Sequence, residues 1–304
     1  MRNNILNNKS TPLQEINKSL PLRILTEKQF AFWKHNGYVI IPKVIDQSTI
    51  NKTEKFLWEY QEMDPNDEST WTQAQRHHYG MTELNNLGMV ECYNNQILWD
   101  NRQNPSIYNA FVDIWDQEKL WVTIDRANLN PPNKENRAHK GFIHWDVDTS
   151  LPSLPVNVQG ILALSDTNEN IGGFQCVPKL YRELESWRKE QPIDRDPYKP
   201  DLKGFDVEFI SMKAGDLLIF NSLLPHGIRP NISNKVRLAQ YIAMMPAKEN
   251  DIATRYIRIK SWKKRIAPDG LAFSKDPRNW EQTKYPRAEL NSLGKKLLGI
   301  QRWD

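Results

Sequence analysis

At residues 141–148 the chain reads GFIHWDVD, in which apolar and polar residues alternate as they do in a half-buried strand. Residues two apart in a strand face the same side, so His144 and Asp146 are expected to point one way and Trp145 the other. An imidazole and a carboxylate on one face can hold neighbouring positions of a divalent metal ion. Such a pair is more often simply hydrogen-bonded, so a metal site requires a third ligand.

Six other short runs have the same β-rich texture. They read LWVTIDRANL from residue 120, VNVQGILALS from 156, GGFQCVP from 172, FDVEFISM from 205, GDLLIF from 215 and VRLAQYIAM from 236. Parallel strands need a helical crossover between them, and little helix separates these runs, so antiparallel pairing is favoured. The sequence therefore predicts a mainly β fold, a double-sheet jelly roll, with residues 188–203 as an inserted loop.

Helices are predicted on either side of the strands. Thr26 and Gln29 form a capping box for a first helix that Gly37 ends, and Asp46 can cap a second helix. A helical pattern also covers residues 106–115. We therefore expect a flexible arm at residues 1–20, a single domain at 21–250 with an N-terminal helical layer, and a helical extension of that domain at 251–304.

The basic charge of the chain is concentrated at its C-terminal end. The net charge is +4, and from residue 251 onward Lys and Arg outnumber Asp and Glu. Apolar residues recur at helical spacing from Ile252 to Ile266, with most basic residues between them, which predicts an amphipathic helix with a solvated basic outer face. The chain carries no nucleic-acid-binding motif, so we expect no nucleic-acid partner.

The sequence also limits where the protein is expected to work. It contains no apolar run of the roughly 20 residues that span a bilayer, and its start lacks the apolar stretch of a secretion signal. Two cysteines, Cys92 and Cys176, are too few for a zinc cage or a disulfide scaffold. We therefore expect a cytoplasmic protein with reduced thiols and no membrane partner.

His226 is the strongest candidate for the third ligand. It lies in GDLLIFNSLLPHGIRPN, just beyond the predicted buried strand 216–220. Two histidines and one carboxylate form the facial triad of non-haem Fe(II) oxygenases, which leaves coordination positions open. Arg237, in the next predicted strand, could bind a dicarboxylate through two parallel hydrogen bonds, although taken alone it would be a surface cation. His139 remains an alternative ligand.

These residues together resemble the phytanoyl-CoA dioxygenase family of Fe(II)/2-oxoglutarate-dependent oxygenases. The resemblance extends from about residue 25 to 246 and rests on FAFWKHNGYVIIPKVID, GFIHWDVD, ENIGGFQCVP, GDLLIFNSLLPHGIRPN and the spacing of Arg237 from His226. It implies a double-stranded β-helix (jelly-roll, cupin-like) core with Fe(II) held by His144, Asp146 and His226. It further implies 2-oxoglutarate as cosubstrate, with its distal carboxylate on Arg237. Related halogenases replace the carboxylate ligand with a small residue, so the presence of Asp146 argues against halogenation.

Other polar residues are candidates for the same pocket. Gln159 and Asn128 are predicted contacts of 2-oxoglutarate or substrate, with ordinary barrel polar residues as the alternative. The residues predicted to contact the substrate are His77, His78, Glu91 and Tyr93.

The resemblance implies a dioxygenase that uses O2 to hydroxylate a small metabolite or natural-product intermediate, with release of succinate and CO2. Anionic substrates such as a phosphonate, a carboxylate or a CoA thioester remain candidates, as do desaturation, ring closure and epimerisation. The alternative functions are a jelly-roll ligand-binding protein without turnover and a nucleic-acid or membrane adaptor that works through the basic C-terminal helix. The oligomeric state remains open.

Overall fold

The computed structural model describes residues 13–72, 88–132, 141–269 and 276–303. Within these ranges the chain forms a mainly antiparallel β core with helices around it. The strands are β1 Tyr38–Ile41, β2 Met89–Val90, β3 Leu120–Val122, β4 Ala127–Asn130, β5 Val158–Ala163, β6 Gly173–Cys176, β7 Glu208–Phe209, β8 Leu217–Asn221, β9 His226–Arg229, β10 Arg237–Tyr241 and β11 Met244–Pro246.

The strands form a six-stranded sheet in the order β1-β8-β5-β10-β4-β2, a three-stranded sheet in the order β7-β6-β9, and the pair β11-β3. Neighbouring strands are antiparallel throughout. The predicted jelly roll is therefore confirmed. Both faces of the central strands are buried, because helices cover the outer face of the large sheet.

Side-chain parity decides which residues face the interior of the jelly roll. On β5 and β8, Ile161 and Phe220 belong to the apolar cluster between the sheets. Gln159 is two residues from Ile161, and Arg237 is two residues from Ala239 of the same cluster, so both side chains lie on the inner face. Two polar residues are thereby placed inside an otherwise apolar core.

The helices are α1 Glu27–Asn36, α2 Gln47–Tyr60, α3 Gln96–Arg102, α4 Pro105–Trp115, α5 Pro178–Arg182, α6 Leu184–Glu190, α7 Ile252–Lys264, α8 Trp280–Thr283 and α9 Ser292–Leu298. The Thr26 and Gln29 capping box is present, Gly37 ends α1 at φ 76°, and Asp46 caps α2. Among the described residues, no helix is both long and apolar enough to cross a membrane.

The stretch GFIHWDVD is not a strand, contrary to the prediction. It forms only one isolated bridge, between His144 and His226. Beyond it the Trp145 N–H donates to the carbonyl of Tyr198, 2.9 Å away. The backbone therefore finds its partner in the predicted inserted loop instead of a neighbouring strand. That loop also starts later than predicted, because α6 continues to Glu190.

Helix α7 forms as predicted, with Trp262 buried and Lys263 and Lys264 exposed, but the faces of its N-terminal half differ from the prediction. Ile252 and Tyr256 are 78% and 66% exposed, so they are not the buried face. Arg255 and Arg258 instead reach inward and donate to the carbonyls of Gly299 and Leu298 at the end of α9. The last carbonyls of a helix have no partner within it, and here two guanidinium groups satisfy them.

Residues 13–20, in the predicted arm, make defined contacts. The Asp116 carboxylate accepts hydrogen bonds from the N–H groups of Ser19 and Leu20 at 2.7 and 2.9 Å. It also pairs with the Lys18 ammonium at 3.1 Å. Leu13 is buried. These contacts bind this part of the chain to the end of α4. The division into arm, domain and extension stays a prediction.

Candidate metal centre

Three side chains meet at one end of the jelly roll. Asp146 Oδ1 lies 3.2 Å from His144 Nε2, and Asp146 Oδ2 lies 3.2 Å from His226 Nε2. One donor atom from each residue can be chosen such that all three lie within 4.8 Å of one another. The predicted triad is thus brought together, with His144 and Asp146 on a loop instead of the predicted strand and His226 at the start of β9.

The two histidines are held by their own backbones. The His144 N–H donates to the His226 carbonyl at 2.8 Å, and the His226 N–H donates back at 3.0 Å. His226 Nδ1 lies 2.9 Å from the Leu224 carbonyl. A carbonyl can only accept, so Nδ1 carries the proton and, in the neutral ring, Nε2 presents its lone pair to the centre.

Asp146 is kept ionised by its neighbours. Burial alone would raise the pKa of this carboxyl, but when the His144 and His226 rings are protonated at Nε2 their hydrogen bonds to it outweigh burial and hold the pKa well below its usual range. The Gln159 amide donates to Asp146 Oδ2 at 2.6 Å. Gln159, a predicted contact of 2-oxoglutarate or substrate, therefore orients the Asp146 carboxylate.

The loop carrying Asp146 is clamped by residues 187–198, a segment for which the sequence analysis predicts no functional role. The Trp145 ring packs against Trp187 of α6, with centroids 5.4 Å apart, and its Nε1 donates to the Leu223 carbonyl at 2.8 Å. Arg195 donates to the Thr149 hydroxyl and carbonyl at 2.9 and 2.8 Å. These contacts hold both sides of Asp146. No sequence motif indicates them, because they depend on where residues 187–198 fold.

Arg237 lies at the start of β10 and is 2% exposed. It is therefore not the surface cation that it would be if read alone. Its Nη1 donates to Asn128 Oδ1 at 3.0 Å. Among the described residues its Nε is buried without a hydrogen-bond partner. A buried cation with an unused donor is suited to an anionic ligand that the protein itself does not supply.

A cavity of about 350 Å³ adjoins the triad. All three triad residues and Gln159 line it, together with Asp125 and Tyr241, which sequence reasoning missed. Asp125 is overlooked because it follows a short strand with no motif around it. Burial raises the pKa of its carboxyl despite the neighbouring Arg126. Arg237 and Asn128 are not part of the cavity lining.

Glu91 and Tyr93, two of the predicted substrate residues, do not line this cavity. Glu91 Oε1 pairs with Arg126 at 2.6 Å, and the Tyr93 hydroxyl donates to Glu91 Oε2 at 2.9 Å. Both residues are buried and neither lines the cavity. His77, His78 and the alternative ligand His139 lie outside the described residues.

The donor set suits Fe(II). Two imidazole nitrogens and one carboxylate oxygen are the ligands of non-haem iron centres with open positions, whereas a structural zinc site would have four protein ligands. His144 Nε2 lies 3.2 Å from Asp146 Oδ1 and is therefore the nitrogen directed at the metal position, whereas its Nδ1 is buried without a hydrogen-bond partner among the described residues.

Comparison with known proteins gives concordant results. A sequence model described as "Phytanoyl-CoA dioxygenase (PhyH)" matches residues 33–239. A protein of Dictyostelium discoideum named "Putative phytanoyl-CoA dioxygenase" is 24% identical over 89% of this chain and 86% of its own length.

Solved structures share the fold. A hypothetical protein of Escherichia coli, JW0805, superposes with a TM-score of 0.67 at 17% identity, over 90% of this chain and 82% of its own. The epimerase SnoN, in complex with Fe3+, alpha ketoglutarate and nogalamycin RO, gives a TM-score of 0.50 at 16% identity, over 73% of this chain and 83% of its own.

Proposed function

The chain belongs to the phytanoyl-CoA dioxygenase family of Fe(II)/2-oxoglutarate-dependent oxygenases, and from that premise we propose that it oxidises a small organic substrate with Fe(II), 2-oxoglutarate and O2. The observation that carries the proposal is the convergence of His144, Asp146 and His226 donor atoms within 4.8 Å. Hydroxylation is the proposed outcome, with succinate and CO2 as the other products.

Each residue at the centre has a separable task in this proposal. His144, Asp146 and His226 would hold the metal through Nε2, one carboxylate oxygen and Nε2. When bound, Fe(II) with 2-oxoglutarate supplies the oxidising chemistry that activates O2. Gln159 keeps the Asp146 carboxylate in position, and the Leu224 carbonyl keeps the His226 tautomer.

Arg237 is proposed to bind the distal carboxylate of 2-oxoglutarate. Its burial and its unused Nε–H support this role, because a desolvated guanidinium binds a carboxylate strongly and with defined orientation. The cavity of about 350 Å³ would then hold the reacting part of the substrate and keep water from it.

The proposal is tested by anaerobic titration of the metal-free protein with Fe(II) and 2-oxoglutarate. We expect the visible charge-transfer band of the iron chelate in the wild type and none in His226→Ala, with both proteins equally folded by circular dichroism. His35, on the exposed side of α1, provides the control variant His35→Ala, which should keep the band.

A band of equal strength in His226→Ala would show that the ligand assignment is wrong. A folded wild type that binds neither Fe(II) nor 2-oxoglutarate would instead favour the alternative function, a jelly-roll binding protein without turnover. Candidate substrates that increase the consumption of 2-oxoglutarate are then selected, and the product formed from each identifies the reaction.

A further inference from the structure

A second and larger cavity adjoins the metal cavity. It has a volume of about 770 Å³ and shares three lining residues, Thr123, Asn157 and Met245, with the metal cavity. We call it the side chamber. Because the same residues border both spaces, a ligand lying in the side chamber is adjacent to the metal cavity.

The walls of the side chamber are mainly apolar. Trp115 and Trp121 are buried and present large aromatic surfaces, and Val156 and Pro246 are further apolar lining residues. A chamber of this size and character binds the apolar body of an organic molecule through the hydrophobic effect.

Among the described residues, the charged groups that line the side chamber are all positive. They are Lys248 and Arg258, and no Asp or Glu of the described ranges lines it. The Lys248 side chain is exposed, and no carboxylate oxygen of the described residues lies within 4 Å of its ammonium. The nearby Asp251 carboxylate accepts the N–H and hydroxyl of Thr254 at 3.0 and 2.7 Å; it attracts the Lys248 ammonium from beyond 4 Å but is not a lining residue of the chamber.

Arg258 lies deeper than Lys248. Its Nε and Nη2 donate to the carbonyls of Leu298 and Val122, while Nη1 has no hydrogen-bond partner among the described residues. Its guanidinium lies 5.1 Å from the Trp121 ring centroid. Neutral carbonyls do not cancel its charge, so the inner wall of the chamber remains positive.

We infer that the side chamber binds the non-reacting end of the substrate, and that this end is an apolar segment terminating in an anion at Lys248 and Arg258. The inference rests on the proposed function, since it takes the metal cavity as the place of reaction. The substrate class is therefore an elongated organic anion whose charged group lies away from the oxidised carbon. A carboxylate, a sulfate ester and a phosphate ester share this chemistry.

The test uses two fluorescent probes that differ by one charge. They are 8-anilinonaphthalene-1-sulfonate and its uncharged counterpart N-phenyl-1-naphthylamine, each titrated into the metal-free protein. We expect Lys248→Glu to weaken sulfonate binding about fivefold to tenfold, because it replaces one attractive interaction of a partly solvated ion pair with a repulsive one. Binding of the uncharged probe should change less than twofold.

Two further variants locate the probe. Lys263→Glu makes the same charge change on an exposed position of α7 that does not line the chamber, and it should leave both affinities unchanged. Thr254→Trp places a bulky ring at the exposed rim and should weaken both probes.

The inference is overturned if Lys248→Glu and Lys263→Glu weaken the sulfonate equally, or if Thr254→Trp has no effect on either probe. Because no metal or 2-oxoglutarate is present, these results do not depend on the proposed oxygenase reaction. If the proposed function is wrong, the iron chelate band will be absent although both probes still bind. An alkyl carboxylate, an alkyl sulfate and an alkyl phosphate of the same chain length are then competed against the sulfonate probe. The compound that displaces the probe at the lowest concentration identifies the preferred anion.

Discussion

Replacing Arg237 with lysine should weaken 2-oxoglutarate binding without affecting the metal. The guanidinium is 2% exposed, with Nη1 already donating to Asn128 and Nε unused. Lysine retains the positive charge, but its single nitrogen cannot reproduce two parallel N–H donors.

The size of the effect follows from the lost hydrogen bond. A hydrogen bond to a charged group contributes about 1.5–3 kcal/mol, and every 1.4 kcal/mol is a factor of about ten in affinity. Loss of one such bond should therefore raise the 2-oxoglutarate dissociation constant roughly 10- to 100-fold. Fe(II) affinity measured without 2-oxoglutarate should stay within about twofold, because Arg237 is not one of the three ligands.

The assay is anaerobic titration of the Fe(II)-loaded protein with 2-oxoglutarate, followed by its visible band. Arg229→Lys is the matched control, because Arg229 lies on the preceding strand β9, in the three-stranded sheet, where its Nε donates to Gln175 at 3.2 Å, and it lies outside the cavity lining. A 2-oxoglutarate affinity that is equal in Arg237→Lys and the wild type, with unfolding temperatures also equal, would refute the assigned role.

Three other variants test the architecture around the site. Gly227→Ala should abolish metal binding, seen by calorimetry, because its Cβ would lie 1.7 Å from the Phe142 carbonyl oxygen beside the histidine bridge. Trp187→Leu should cost about 1–3 kcal/mol of stability and weaken metal binding several-fold by loosening Trp145, and unchanged metal affinity would argue against the clamp. Asp116→Asn should cost about 1–2 kcal/mol at pH 7. Burial alone would raise the pKa of the Asp116 carboxyl, but hydrogen bonds from Ser19 outweigh it and lower the pKa to about 2. Because this folded-state pKa lies below the unfolded value, the stabilisation by Asp116 is present above about pH 4 and is lost as the pH falls toward 2. Urea unfolding that gives the same difference from wild type at pH 7 and pH 2.5 would contradict it.

Local signals in the sequence predicted the N-terminal helices and most strands. The capping box of Thr26 and Gln29, the left-handed Gly37 and the cap at Asp46 depend on neighbouring residues only, and all three are present. The triad was also predictable, because the residue types and the resemblance both pointed to His144, Asp146 and His226.

Features that depend on distant contacts were not predictable. The stretch GFIHWDVD has the alternation of a strand, but a partner for Trp145 is supplied by Tyr198 in an irregular segment. The sequence predicts a solvated basic face on helix α7, whereas Arg255 and Arg258 face inward because the carbonyls at the end of α9 need hydrogen-bond donors. In both cases the conformation depends on a backbone carbonyl that is distant in sequence, and a local sequence pattern does not show where that carbonyl lies.

The position of β1 also constrains how the polypeptide can fold as it leaves the ribosome. Within the part of the chain that the structure describes, β1 lies at the edge of the large sheet and pairs with β8 alone, with Tyr38 opposite Phe220. Synthesis delivers β1 long before β8, so its backbone donors and acceptors must wait for most of the chain to emerge. Pairing so distant in sequence is also slow to form. The nascent protein therefore exposes an apolar strand, YVII, for much of its translation, and chaperone contact at this early segment is the expected consequence.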